Sequence, residues 1–114
     1  MPEVPAFNGD QALSLVENQL TFGPRYPGSE GHEELKSWIV QELTQHGWEV
    51  DLQEFDYYGT TGTNIIAYIQ KVFTPDQEWT IIGAHYDTRL YADNDPDIRK
   101  QLEAVPGAND GASG

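Results

Sequence analysis

Two segments near the start of the chain carry apolar residues at helical spacing. In the first, Leu13, Val16 and Leu20 share one face behind Asp10, which can cap a helix, and the pattern stops near Gly23-Pro24. The second segment has a longer apolar stripe and ends at His46-Gly47. Its stripe consists of Leu35, Trp38, Ile39 and Leu43. The pattern predicts two helices of ordinary length, the second better specified than the first.

The connection between these helices predicts a turn. It runs through Arg25 and Pro27–Ser29, where proline fixes one dihedral angle and glycine permits a tight reversal. Ser29 is placed to accept a hydrogen bond from a free N–H group of the second helix. Arg25 is interpreted as part of this turn.

After Trp48 the apolar period changes from helical to two residues, which predicts a sheet. Trp48–Gln53 alternates like a strand with one wet face, and Thr63–Lys71 is rich in β-branched and aromatic residues and predicts an antiparallel return. A loop or wide hairpin is expected between them at Tyr57–Gly62, and a turn at Phe73–Asp76. Trp79–Ala84 is almost wholly apolar and predicts a third, central strand covered on both faces.

The remainder of the chain predicts a long acidic loop. A short helix is expected around Asp97–Ala104, and Gly107–Gly114 resembles the start of another. Three aspartates alternate like a calcium loop but lack the required glycine and closing glutamate, so they indicate a solvated loop. They are Asp93, Asp95 and Asp97. Arg89 is expected to form an exposed salt bridge.

Composition excludes several classes of function. The 114 residues are 38% apolar and suit one modest domain, and a net charge of -13 makes nucleic-acid binding unfavourable. No apolar run approaches the roughly 20 residues that span a bilayer, so no membrane insertion is expected, and no signal peptide precedes the first helix. Because there are no cysteines, a bound metal has to use histidine and carboxylate ligands.

Such ligands follow the predicted central strand. His85 and Asp87 lie two residues apart, so strand geometry places them on one side, where the carboxylate can orient the imidazole of a metal ligand. Asp110 is a second candidate ligand, since its small neighbours allow close approach to a metal. The carboxyl end of a strand is where α/β sheets place ligand sites. These residues are the candidate site: Asp87 as the catalytic candidate, and His85 and Asp110 as metal ligands.

Three motifs together resemble metallopeptidase family 28, especially its glutaminyl-peptide cyclotransferase branch. They are Gly23–Gly31, Gly83–Arg89 and Pro106–Gly114, in the family's order. The resemblance implies an α/β fold, a mixed sheet between helices, of which residues 1–114 would be a single incomplete domain at the N-terminal end. It also implies one or two zinc ions, with His85 and Asp110 as ligands and Asp87 in support. In the family, the aspartate that matches Asp110 binds zinc in both branches, whereas the histidine that matches His85 is a ligand in the two-metal peptidases.

The resemblance leaves two activities open. The Arg-Tyr-Pro-Gly-Ser turn and the basic Arg89 favour a glutaminyl cyclase, which converts N-terminal glutamine to pyroglutamate, whereas Gly107–Gly114 is closer to the aminopeptidase motif. Both enzymes act on a free peptide N-terminus, the expected partner. Because a catalytic zinc normally takes three protein ligands, residues 1–114 alone are expected to be inactive.

A third hypothesis is a binding module that keeps the peptidase fold without its chemistry. Retention of His85, Asp87 and Asp110 favours the enzyme, since charged residues are costly to keep buried without a function. Self-association through an exposed sheet edge is also expected of the chain on its own. The resemblance implies export, although the location is left open.

Overall fold

The computed structural model describes residues 2–69 and 74–114. In these residues two helices precede an antiparallel hairpin, which confirms the α/β class. The elements in order are α1 (Gly9–Leu20), α2 (Glu30–Gln45), β1 (Glu49–Tyr57), β2 (Thr60–Tyr68) and a 3-10 turn (Ile98–Lys100). Among the described helices, none is long and apolar enough to cross a membrane.

The first helix begins earlier than predicted. Asn8 has an extended backbone and its side chain accepts a hydrogen bond from the Gln11 N–H at 3.0 Å, so Asn8 is the N-cap and Asp10 lies inside the first turn. The prediction that Asp10 caps this helix is therefore wrong. The helix has no buried residue. It ends before Gly23, whose positive φ of 73° turns the chain as expected.

The second helix follows its sequence pattern. Ser29 accepts a hydrogen bond from the His32 N–H at 3.2 Å, which confirms the predicted cap. Leu35 is completely buried, and the Trp38 ring lies 6.0 Å from that of Phe22. The helix packs against both strands, so it is the support on which the hairpin and the site rest.

The hairpin is tighter than predicted. Tyr57 pairs with Thr60, so the turn contains only Tyr58 and Gly59, with φ values of 48° and 81°. The loop or wide hairpin predicted at Tyr57–Gly62 is therefore a hairpin but not a wide one, because both turn residues adopt the left-handed conformation that closes a two-residue turn. The second strand ends at Tyr68, and the predicted extension to Lys71 lies partly outside the described residues. So does part of the predicted turn at Phe73–Asp76, although the Gln77 N–H bonds to the Thr74 carbonyl at 3.1 Å.

The predicted third strand does not form. Trp79–Ala84 has no regular secondary structure, and Ile81 and Ile82 are 89% and 93% exposed. A strand requires a hydrogen-bonded neighbour as well as an apolar sequence. Among the described residues, β1 and β2 pair only with each other, so the apolar run has no strand beside it.

The acidic loop is mostly irregular, as expected. The helix predicted at Asp97–Ala104 is wrong in extent, since only the 3-10 turn at Ile98–Lys100 forms. Asp97 caps that turn through the Arg99 N–H at 3.1 Å and binds the Arg99 guanidinium, which lowers the pKa of this exposed carboxyl. The Arg89 guanidinium lies 3.0 Å from the Asp93 carboxylate, which confirms the exposed salt bridge.

Candidate metal centre

The structure brings the three candidate residues together around one imidazole ring. The Nδ1 atom of His85 lies 3.2 Å from Oδ1 of Asp87, and its Nε2 atom lies 3.1 Å from Oδ1 of Asp110. All three side chains are substantially exposed, with 59%, 46% and 61% of their areas accessible. Each nitrogen of the ring therefore faces a different carboxylate at the surface.

The segment that carries His85 and Asp87 is held in place by hydrogen bonds to a buried residue, Arg25. Thr88 and Arg25 form two hydrogen bonds, since the Thr88 N–H donates to the Arg25 carbonyl at 3.0 Å and the Arg25 N–H donates to the Thr88 side-chain hydroxyl at 3.0 Å. Both residues are buried. The connection between the helices therefore fixes the segment that ends the His-Tyr-Asp motif.

A close backbone approach brings Asp110 to the same place. A Cβ atom on Gly111 would lie 2.9 Å from the carbonyl oxygen of Asp87, and Gly111 has a φ of 118°. The Ala112 N–H bonds to the Gly107 carbonyl at 3.0 Å, and the Gln19 side chain of α1 donates to the Ala112 carbonyl at 3.0 Å. A side chain at position 111 would force the two acidic segments apart.

Tyr86 lies on the opposite side from the ligands and anchors the motif. Its hydroxyl donates to the Thr63 carbonyl of β2 at 2.6 Å, and its ring stacks on that of His32 at 4.8 Å. The pKa of Tyr86 is raised, first by burial and then by the charges of Glu33 and Asp87. His85 and Asp87 therefore project outward while the residue between them is held on the body of the protein.

The chemistry of this arrangement fits a cation between His85 and Asp110. In the tautomer that donates the Nδ1 proton to Asp87, the Nε2 lone pair faces a carboxylate oxygen, and a metal ion fits between these two acceptors; in the other tautomer Nε2 donates its proton to Asp110. Two ligand atoms at ordinary zinc distances in a tetrahedron are about 3.3 Å apart, close to the spacing seen here. Asp87 orients the ring from its other nitrogen, as in known carboxylate–histidine–zinc sites.

The ligand set is partial. Nothing in residues 2–69 and 74–114 forms a group of three or more His, Cys, Asp or Glu side chains that could hold a metal ion. His85 and Asp110 converge on one point, whereas Asp87 faces the far nitrogen of the ring. Two ligands are one fewer than a catalytic zinc usually takes.

One residue near the site, Arg25, has a larger structural role than the sequence predicts. Arg25 was assigned to a turn, yet its guanidinium is buried and donates to the carbonyls of Gly23, Pro106 and Gly107. The only signal in the sequence is an arginine placed within a Gly-Pro-rich turn, where a surface residue would be expected.

Solved structures with similar folds are zinc exopeptidases and glutaminyl cyclases. A leucine aminopeptidase precursor from Bacteroides thetaiotaomicron is 35% identical, with a TM-score of 0.79 over 99% of this chain and 40% of its own. A Zn-dependent exopeptidase from Parabacteroides distasonis is 36% identical, with a TM-score of 0.76 over 97% of this chain and 39% of its own. A glutaminyl cyclase from Tannerella forsythia is 36% identical, with a TM-score of 0.79 over 96% and 38%.

The chain spans about two fifths of the length of these structures. It also matches the uncharacterized protein YFR018C of Saccharomyces cerevisiae, with 33% identity over 69 residues and 18% of that protein covered. No protein-family model matches the sequence. By fold and sequence together, the chain is similar to solved structures of glutaminyl cyclases and exopeptidases, which is consistent with the predicted resemblance to metallopeptidase family 28.

Proposed function

We propose that the protein is a zinc-dependent enzyme that acts on free peptide N-termini, and that it converts N-terminal glutamine to pyroglutamate. The observation that carries the proposal is the 3.1 Å approach of His85 Nε2 to Asp110 Oδ1, a pair of possible ligand atoms at a spacing that a metal ion can bridge. The similar structures named as glutaminyl cyclases support this reaction. The remaining ligands would lie in the part of the fold that these 114 residues do not span.

Each described residue has a proposed task. His85 and Asp110 would hold the zinc, which supplies Lewis acidity toward the side-chain carbonyl of the substrate glutamine. Asp87 keeps the His85 ring in the tautomer and orientation that present Nε2. In the reaction the α-amine attacks the side-chain amide carbon, the bond to the amide nitrogen breaks, and ammonia leaves carrying the proton released by the amine.

An aminopeptidase is the second candidate. It is favoured by the motif around Asp110 and by the similar structures named as a leucine aminopeptidase precursor and a Zn-dependent exopeptidase. In that reaction water replaces the α-amine as the nucleophile and the first peptide bond breaks. Both candidates require the same cation site and the same free N-terminus.

The test is the activity of the intact protein, loaded with zinc and after chelation, on one peptide that begins with Gln and one that begins with Leu. We expect chelator-sensitive release of ammonia from the Gln peptide and no release of leucine. Free leucine would establish the aminopeptidase instead. Silence on both peptides with no bound zinc would contradict both candidates and favour the binding module.

The site assignment is tested by changing one carboxylate to an amide. Asp110→Asn keeps the shape of the side chain but removes its charge, so we expect loss of zinc and a fall in activity of about a hundredfold or more. Asp93→Asn is the matched control, because Asp93 pairs only with the exposed Arg89 in the described structure. Equal activities of the two variants would exclude Asp110 as a ligand.

A further inference from the structure

Arg25 is a buried cation whose described acceptors are all neutral. Its side chain is 1% exposed, and it donates to the carbonyl oxygens of Gly23 at 2.9 Å, Pro106 at 2.7 Å and Gly107 at 3.1 Å. Its Nε atom has no acceptor among the described residues. Burial lowers the pKa of the guanidinium. Burying a guanidinium without a carboxylate partner among the described residues costs free energy, so we expect Arg25 to have a role that offsets this cost.

The carbonyls that Arg25 binds belong to the segment that leads to Asp110. Pro106 and Gly107 precede Asp110 directly in the sequence, and Ala112 bonds back to the Gly107 carbonyl at 3.0 Å. The guanidinium therefore fixes the start of the short turn on which Asp110 is carried.

The backbone of the same arginine holds the other ligand segment. Its N–H donates to the Thr88 hydroxyl at 3.0 Å, and its carbonyl accepts from the Thr88 N–H at 3.0 Å. Thr88 is 3% exposed and follows Asp87 in the chain. One residue thus binds both segments from which His85 and Asp110 project.

We propose that Arg25 is a positioning residue of the metal centre, which sets the spacing of His85 and Asp110 from beneath the site. The proposal rests on the proposed zinc function. The planar guanidinium suits this role because its Nη1 and Nη2 atoms bind separate parts of the chain at fixed angles, which a lysine ammonium cannot reproduce. Among the described residues, the hydrogen-bond partners of the Arg25 side chain are backbone carbonyls and not the candidate ligands, so Arg25 carries no chemical step.

The experiment uses three variants of the intact protein. Arg25→Met removes the donors but keeps an unbranched stem, and Arg25→Lys restores a charge and one point of donation. Arg99→Met is the control, since Arg99 is an exposed arginine whose partner is Asp97. For each variant, zinc affinity is measured by competition with a chelator, the visible spectrum is recorded after saturation with Co²⁺, and unfolding by urea gives the stability.

We expect Arg25→Met to bind zinc about tenfold or more weakly and to show a displaced cobalt spectrum even when every site is filled. Arg25→Lys should recover stability but keep the displaced spectrum, because one ammonium group cannot bind the Gly23 carbonyl and the Pro106–Gly107 carbonyls at the fixed angles of the guanidinium. Arg99→Met should match the wild type in all three measurements. A saturated cobalt spectrum and zinc affinity equal to wild type in folded Arg25→Met would overturn the proposal, even if the variant is less stable.

Thr88→Val decides the question if Arg25→Met fails to fold. It keeps the shape of Thr88 but removes the hydroxyl that accepts from the Arg25 N–H, so it loosens the other attachment of Arg25, the one to the segment that carries His85. Weakened zinc binding with a displaced cobalt spectrum supports the proposal, and wild-type values overturn it. A wild-type protein that binds no zinc would overturn the proposed function together with this inference, whereas normal binding by the variants overturns this inference alone.

Discussion

At the scale of single residues, Tyr86 shows how the candidate ligands are kept on the surface. Its ring lies against His32 with an angle of 11° between the planes, and its hydroxyl donates to the Thr63 carbonyl at 2.6 Å. The neighbouring His85 and Asp87 are turned the other way, toward Asp110 and solvent. A residue with no expected part in the chemistry therefore determines which way its two neighbours face.

Tyr86→Phe is expected to lower the free energy of unfolding of the intact protein by about 1 kcal/mol, because it loses one net hydrogen bond and keeps the ring. The measurement is urea unfolding at neutral pH. Tyr58→Phe is the control, since Tyr58 is 94% exposed and its loss of a hydroxyl should change little. An equal loss in both variants would contradict the anchoring role of Tyr86.

The same residue predicts a change of stability with pH. The pKa of Tyr86 is raised in the folded protein above its ordinary value of 10.0, so the unfolded chain releases this proton first. Its contribution is complete below pH 10 and is lost as the pH rises through the raised value. Wild-type stability should therefore fall more steeply above pH 10 than that of Tyr86→Phe, and parallel curves would contradict the assignment.

The residues of the site were predictable to different degrees. The predicted contact between His85 and Asp87 forms, and the two residues are close in sequence, although the strand from which their common orientation was argued does not form. The approach of Asp110 depends on a loop with no periodic pattern, so it was indicated by the small neighbours of Asp110 and by the family resemblance, not by spacing. The burial of Arg25 was not predictable, because its acceptors are backbone carbonyls and these carry no signature in the sequence.

At the scale of elements, the two helix caps stabilise helices that differ in how much they bury. Asn8 caps α1, a helix without a buried residue, whereas Ser29 caps α2, which buries His32 and Leu35. The Ser29 hydroxyl also donates to the Tyr26 carbonyl at 2.7 Å and is thus tied to the turn that contains Arg25. The second cap therefore joins the helix to the support of the site.

Ser29→Ala is expected to cost about 1–2 kcal/mol of stability, because it removes the cap and leaves the buried His32 N–H without its acceptor. Asn8→Ala removes the same kind of bond at an exposed helix end and should cost less, about 0.5 kcal/mol. Urea unfolding of both variants gives the comparison. A cost for Asn8→Ala equal to or above that of Ser29→Ala would show that α1 matters more to the fold than its burial indicates.

The elements were predictable where their causes are local. Both helices follow from apolar spacing and from a serine before the second one. The two-residue hairpin turn was not predicted because Tyr58 adopts a φ of 48°. Tyrosine rarely adopts this conformation, so the sequence gives no reason to expect it. The strand expected at Trp79–Ala84 was wrong because pairing depends on a neighbouring strand elsewhere in the chain.

At the scale of the whole molecule, the described chain has little core. Leu35 and Ala112 are its buried apolar residues, and the Cα radius of gyration is 16.8 Å. A compact domain of this length has a radius of about 13 Å. Large apolar side chains remain exposed, including Ile81 and Ile82 at 89% and 93%. The hydrophobic surface that normally stabilises a domain of this size is here still in contact with water.

This exposure predicts that the 114-residue chain on its own self-associates through the apolar segment at 79–84. Ile82→Glu places a charge in that segment and should reduce association, whereas Val4→Glu makes the same change of net charge at a residue that is 88% exposed in the N-terminal lead-in. Sedimentation velocity over a range of concentrations measures the effect. The sedimentation coefficient should rise with concentration for the wild type and Val4→Glu, and much less for Ile82→Glu.

The variants also separate two routes of association. The edges of the β1–β2 hairpin offer unpaired backbone groups, a second means of joining copies that Ile82→Glu leaves intact. If Ile82→Glu associates as strongly as the wild type, the hairpin edges carry the contact and the apolar segment does not. A monomer at every concentration with one sharp thermal transition would contradict both routes, since it would require a cooperative fold from a chain whose described residues include two buried apolar ones.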